Sequence, residues 1–163
     1  MQQRTSAGTS INSKKLPALY TKLAKLGVMT GTGIDLGCGK YITHLASFAA
    51  DHECTMRFYD PYNQPEQVNY EALIHRDENQ FCLCSNVLNV LDNESAVRST
   101  IREAVSLGNG VAYFTVYEGN GTGIGTETQA GMSWQRNQKL RSYEAFCDGL
   151  KVAFKNGIMI VRR

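Results

Sequence analysis

The chain has no apolar run approaching the ~20 residues needed to cross a bilayer, and its first residues, MQQRTSAGTS, are polar rather than apolar like a secretory signal. No C-x-x-C pair occurs, and the five cysteines are odd in number. Reduced thiols in a cytoplasmic setting are therefore expected rather than a disulfide framework. His44, His52 and His75 show no ligand spacing with cysteines or acids, so no metal site is expected. A strong excess of one charge is also missing. The net charge of +2 singles out neither nucleic acid nor a membrane surface. What remains, 163 residues with 42% hydrophobic and 20% charged content, is the composition of one soluble domain with a real core.

The most informative stretch is Gly33-Ile34-Asp35-Leu36-Gly37-Cys38-Gly39-Lys40. Ile34 and Leu36 alternate with Asp35 as in a short buried strand, and Gly37 and Gly39 punctuate a tight turn after it. Glycine accepts positive φ and, without a Cβ, lets a ligand approach the backbone. From Tyr41 to Ala50 the apolar residues Ile42, Leu45, Ala46 and Ala49 have helical spacing. A strand, a glycine turn and a helix N-terminus together favour polar or anionic ligand groups.

Along the chain, residues 1–12 read as a flexible arm and residues 13–163 as a single domain. Leu16, Leu19, Tyr20, Leu23 and Leu26 predict a helix capped by Ser13, with Pro17 in its first turn and Gly27 ending it. A strand over Thr55–Tyr59 should stop at Asp60-Pro61, because proline removes a donor and restricts the residue before it. Asp60 lies 21 residues past Gly39, about the interval at which an acid on the neighbouring strand meets a ribose in dinucleotide-binding folds. A carboxylate can accept hydrogen bonds from both ribose hydroxyls.

Between Tyr62 and Gln80 the spacing predicts a short helix near Glu66–Ile74 and no strand. Phe81 begins a buried strand, Asp92 or Asn93 caps a helix carrying Val97, Ile101, Ala104 and Val105, and Val111–Tyr117 is the strongest strand. A glycine loop, Gly119–Gly125, extends toward Trp134; a helix over 139–150 follows, with Leu140, Tyr143, Cys147 and Leu150 on one side. Asn156-Gly157 between alternating apolar residues predicts a closing hairpin. Strands alternating with helices imply an α/β, Rossmann-like, mostly parallel sheet covered on both faces, with a C-terminal antiparallel hairpin.

The series Ile34-Asp35-Leu36-Gly37-Cys38-Gly39, Tyr59-Asp60-Pro61 and Cys84-Ser85-Asn86-Val87-Leu88-Asn89, followed by a terminal hairpin, resembles the class I S-adenosylmethionine-dependent methyltransferase fold. More narrowly, it is similar to small methyltransferase-like proteins of bacteriophages and bacteria, in which a segment like Val87-Leu88-Asn89-Val90 recurs. The resemblance covers about Lys14 to Arg163 and implies S-adenosylmethionine across the carboxyl ends of the strands. It implies Asp35 near the methionine ammonium, Gly37 and Gly39 against the methionine portion, Asp60 on the ribose, and Ser85-Asn86 facing the transferring methyl. A viral member would act in host cytoplasm. Two departures stand out: Tyr41 occupies the family's usual third glycine, and the third strand is not legible between Pro65 and Gln80.

Rival readings narrow the chemistry. A nicotinamide dinucleotide fingerprint needs glycine or alanine where Ile42 stands. Ser85-Asn86-Val87-Leu88 lacks the Pro-Pro-aromatic sequence of amino-methylating nucleic-acid enzymes, and no Pro-Cys pair supplies a C5-methylating thiolate. Cys82 and Cys84 share a strand face and read as buried thiols. Asn86 can orient a nucleophile or end a strand; Glu118 can be a general base or a solvated loop acid. The glycine loop reads as linker or binding loop, and Trp134, Arg136, Lys139 and Arg141 offer a nucleic-acid contact or a plain helix surface. The expectation is a methyltransferase of unspecified acceptor. The alternatives are a methyltransferase-like binding or inhibitor protein without transfer, and an enzyme that degrades S-adenosylmethionine.

Overall fold

Residues 14–128 and 133–163 are described by the computed structural model, and the alternation of strands and helices expected of them is present. Six strands form one sheet: β1 (Gly31–Leu36), β2 (Cys54–Tyr59), β3 (Phe81–Ser85), β4 (Val111–Thr115), β7 (Lys151–Lys155) and β8 (Ile158–Arg162). Their order is β2-β1-β3-β4-β8-β7. The first four run parallel, while β8 pairs antiparallel with both β4 and β7. Two further short strands, β5 (Thr126–Thr128) and β6 (Ser133–Gln135), pair with each other outside this sheet.

Period-two alternation divides the core into two layers. Ile34, Leu36, Cys82, Cys84, Ala112, Phe114, Met159 and Val161 point to one face. There α3 (Glu66–Ile74) supplies Ala72, and α4 (Glu94–Leu107) supplies Val97, Ile101, Ala104 and Val105. The opposite face carries Met56, Phe58, Phe81, Leu83, Tyr113 and Ile160 beneath α1 (Ala18–Lys25) and α2 (Thr43–Ala50). The chain thus places α2 on one side of the sheet and α3 and α4 on the other. That reversal occurs between β1 and β3, and it opens a crevice at their carboxyl ends.

Several expectations need correction. Pro17 stands just before α1, not in its first turn, because its ψ of 139° is extended; the Ser13 cap and the arm at 1–12 lie outside the described residues. Asn93 rather than Asp92 caps α4, its side chain accepting from the Ala96 N–H at 2.7 Å. β4 stops at Thr115, where Asn86 N–H reaches the Thr115 carbonyl at 2.9 Å. Beyond it, Gln135 Nε2 takes up the Tyr117 carbonyl at 2.9 Å.

The helix expected over 139–150 is a 3₁₀ segment, Leu140–Phe146. Its buried residues, Leu140, Tyr143 and Phe146, recur every third position, which suits three residues per turn rather than 3.6. Nothing in the sequence announces the short pair β5–β6, since three-residue strands carry too little periodicity. By contrast, α3 occupies the expected residues, and no strand forms between Tyr62 and Gln80. The closing hairpin turns at Asn156 and Gly157, both at positive φ, as an Asn-Gly turn of this kind requires.

Gly108, at the carboxyl end of α4, shows how tightly the layers meet. A Cβ there would lie 2.0 Å from the Val111 carbonyl oxygen and 2.5 Å from the Cys82 amide nitrogen. Both are backbone atoms, which cannot swing aside. Gly108→Ala is expected to cost about 3 kcal/mol in urea denaturation, the upper end of overpacking penalties. A loss below about 1 kcal/mol would contradict this packing.

Candidate functional site

The crevice between β1 and β3 is floored by the strand ends that the sequence singled out. Asp35 lies on β1, an interior strand next to the edge strand β2, with its neighbours Phe58 and Leu83 in register on either side. On that otherwise apolar face it is 2% exposed, and the Tyr20 hydroxyl of α1 donates to its Oδ2 at 2.7 Å. Tyr20 counted in the sequence only as part of the helix's apolar stripe; its hydroxyl gives it a second task. A phenol in an apolar series, facing an acid in a strand, is the only signal that pointed to this pair.

Burial pushes the Asp35 carboxyl up to about 7, Asp60 pushes in the same direction, and the Tyr20 hydrogen bond opposes both. Tyr20 itself is driven well above its ordinary value, first by burial and then by Asp35 beside it. Cys38 is raised by burial and by the same two acids, and Cys82 and Cys84 by burial above all. These thiols stay protonated near neutrality, which denies them the thiolate needed for nucleophilic work.

Gly37 and Gly39 form the turn at φ of 78° and 75°. A Cβ on Gly37 would sit 2.4 Å from Val87 Cγ2, so Val87 packs against its backbone. Asp60, at the end of β2, is 3% exposed. Its Oδ2 accepts the Gly39 N–H at 3.0 Å, joining two turns 21 residues apart in sequence. Its Oδ1 accepts the N–H groups of Tyr62 and Asn63, each at 3.1 Å. The Asn63 side-chain nitrogen lies 3.0 Å from both carboxylate oxygens.

Around this acid, Gln64 Nε2 donates to the Gly39 carbonyl at 2.5 Å. Asn69 closes the other side, its Oδ1 accepting the Asp60 N–H at 2.8 Å and its Nδ2 reaching the Asp60 carbonyl at 3.1 Å. Sequence reading missed these amides. The run Asp60-Pro61-Tyr62-Asn63-Gln64, with Asn69 beyond it, carried the signal as a density of side-chain amides behind a strand end. Tyr41 is 41% exposed, and Lys14 Nζ stands 5.0 Å from its ring centroid.

At the end of β3, Ser85 Oγ and Thr115 Oγ1 share a hydrogen bond at 3.1 Å. Asn86 follows at φ 58°, turning the chain out of the sheet. Asn89, nearly buried, donates to Gln135 Oε1 at 3.2 Å, which ties this turn to β6. The structure therefore brings Asp35, Gly37, Gly39, Asp60, Ser85 and Asn86 to one end of the sheet. Glu118 is engaged elsewhere, its Oε1 accepting the Leu140 N–H at 2.8 Å at the start of the 3₁₀ segment.

Of the residues considered for nucleic acid, Trp134 and Arg136 are half-buried, while Lys139 and Arg141 are exposed. The Arg136 guanidinium donates to the Leu91 carbonyl at 3.1 Å and lies 5.5 Å from the Phe146 ring. Arg141 lies 4.6 Å from the Phe154 ring, and Trp134 packs on Gly125. Lys139 packs its stem near Gly121. Among the described residues, no group of acids, histidines and cysteines is arranged to hold a metal ion, and no helix is long and apolar enough to cross a membrane. An apolar groove lined by Leu26, Val28, Tyr113, Phe154 and Ile160 lies along the β8–β7 side of the sheet.

No protein-family model matches the chain, and no curated protein matches it.

The Asp35 shift has a defined consequence for stability. The folded protein holds this proton more tightly than the unfolded chain, whose value is near 3.8. The resulting stabilisation is complete below about pH 4, declines as pH rises toward about 7, and is gone above it. Asp35→Asn keeps an acceptor for the Tyr20 hydroxyl and removes the titration. Guanidinium denaturation should find the variant more stable than the parent at pH 8, by about 4 kcal/mol at most. The two should converge toward pH 4; parallel pH profiles would refute the assignment.

Proposed function

We propose that the chain is a class I S-adenosylmethionine-dependent methyltransferase domain, with the adenosyl sulfonium lying across the β1–β3 crevice. The observation that carries this reading is Asp35. A carboxyl group is buried on an interior strand, just before a glycine-bearing turn, at the point where the sheet's connections reverse. Such a group costs folding energy when ionised, and a ligand bearing an ammonium group would recover that cost. The antiparallel β8 set between β4 and β7 also agrees with the resemblance seen in the sequence.

In this reading Asp35 meets the amino-acid ammonium directly or through water, Gly37 and Gly39 leave room for the methionine chain, and Asp60 receives the ribose. Ser85 and Asn86 border the methyl group. Transfer is an in-line displacement: an acceptor lone pair forms a bond to the methyl carbon as the carbon–sulfur bond breaks, and its electrons return to sulfur. The sulfonium thereby becomes a neutral thioether. A proton on the acceptor atom leaves to solvent. The protein's contribution is orientation and exclusion of water, with Asn86 orienting the nucleophile from its left-handed turn. Glu118, already bound to the Leu140 amide, contributes to holding the adjoining loop.

One observation favours a second reading, a methyltransferase-like binding protein without transfer. Asp60 is already hydrogen-bonded within the chain, and Val87 covers Gly37.

Calorimetry with S-adenosylmethionine and S-adenosylhomocysteine tests the proposal. Binding is expected to tighten as pH rises from 6 to 8, because the ligand ammonium selects ionised Asp35. Asp35→Asn should weaken it by at least tenfold, a typical loss for one partner of a charged pair. Chromatography of the incubated ligand then separates the activities. S-adenosylhomocysteine appearing only with an acceptor extract supports transfer, consumption without acceptor indicates degradation, and no turnover indicates a binding protein. Absence of heat with either ligand up to millimolar concentration would defeat the adenosyl assignment.

A further inference from the structure

The hydrogen bonds around Asp60 divide into two kinds. Three come from backbone: the Gly39 N–H to Oδ2, and the Tyr62 and Asn63 N–H groups to Oδ1. These hold the carboxylate in place through the fold itself. The fourth donor is a side chain. Asn63 Nδ2 stands 3.0 Å from each oxygen, so it lies on the plane bisecting the carboxylate and bridges the two. Two vicinal hydroxyls donating to one carboxylate need that same bridging position, one hydroxyl to each oxygen.

We infer that Asn63 is an internal stand-in for a vicinal diol, and that a ribose reaches Asp60 by displacing the Asn63 side chain. The inference rests on the adenosyl reading above and adds to it the residue that sets affinity. Asp60 is 3% exposed, and Asn63 lies directly over both of its carboxylate oxygens. Proline on either side, at Pro61 and Pro65, frames the turn; Asn63 itself is half-buried, so part of its side chain already meets solvent. Gln64 provides a second closure, its amide donating to the Gly39 carbonyl. That bond does not touch the carboxylate and need not break.

The exchange is chemically balanced in hydrogen bonds. The carboxylate gives up one bridging amide and gains two hydroxyl donors. The freed Asn63 amide turns to solvent or to the ligand, and no backbone contact of Asp60 is lost. A ligand with only one hydroxyl at this position would gain a single bond for the one displaced. The bridge therefore lowers affinity for ribose and deoxyribose alike, and the preference between them rests on the second hydroxyl's own bond.

The test uses the full chain with four probes: S-adenosylmethionine, S-adenosylhomocysteine, adenosine and 2′-deoxyadenosine. Asn63→Ala removes the competing donor and leaves the three backbone donors. It is expected to bind the ribose ligands roughly tenfold more tightly than the parent, the factor carried by one charge-assisted hydrogen bond. Adenosine and 2′-deoxyadenosine should both tighten by a similar factor, because each displaces the same bridge in the parent. Asn63→Gln, whose longer amide cannot sit in the same place without moving the turn, provides an independent variant with tightened binding expected. In ¹⁵N-labelled parent protein, the Asn63 side-chain amide resonances should move toward free-amide positions on saturation with S-adenosylhomocysteine.

Unchanged or weaker binding by both variants, while the parent binds adenosyl ligands, would overturn the displacement and leave the adenosyl assignment standing. If neither parent nor variants bind any of the four probes, the adenosyl assignment itself fails and takes this inference with it. Circular dichroism melting of each variant separates a change in affinity from a change in folding.

Discussion

The hydrogen bond from the Gly39 amide to the Asp60 carboxylate is the constraint on which the site end of the sheet depends. Two parallel strands paired side by side have no covalent reason to keep their trailing turns together. Here one buried acid receives the turn of β1 while binding its own following turn through Tyr62 and Asn63. The same atoms therefore fix the depth of the crevice and the path of the chain into α3. Hydrogen bonds to an ionised acceptor are about twice as strong as neutral ones, so this junction is stiff where the ends of strands are ordinarily loose.

Asp35 works in the opposite sense. Where Asp60 is surrounded by donors, Asp35 has a phenol, an apolar layer and another acid nearby. The two carboxyls are about equally buried, and what differs is the number of hydrogen-bond donors around each. One is a joint that keeps the architecture closed. The other stores unfavourable electrostatic energy, which fits a group awaiting a positive charge.

Much of this arrangement was legible in the sequence because its signals are local. The glycine turn, the Asp-Pro strand end and Asn156-Gly157 each restrict the backbone within a few residues, and all three occur as expected. α3 was legible by its place between two prolines' worth of loop and a buried strand, even though its apolar pattern is weak. The 3₁₀ segment was misread because Leu140, Tyr143 and Cys147 also fit a helical period; only Phe146, buried at the third step, distinguishes the two. The site was half legible. Asp35, Asp60 and the glycines carry pattern information, whereas the roles of Tyr20, Asn63 and Asn69 depend on contacts across 9 to 15 residues or on turn geometry. Glu118 shows the limit most clearly, since a strand-end acid and a helix-capping acid look alike until Leu140 is placed.

The sheet's order has an outcome for how the chain is made. Strand β8 enters between β4 and β7, so β4, although complete long before, keeps one unpaired edge until Ile158–Arg162 has left the ribosome. During synthesis that edge, rich in Val111, Ala112, Tyr113 and Phe114, is open to pairing with other chains. Slow emergence of the hairpin would favour clumping of nascent protein, and the Asn-Gly turn, by forming quickly once exposed, shortens the interval of risk.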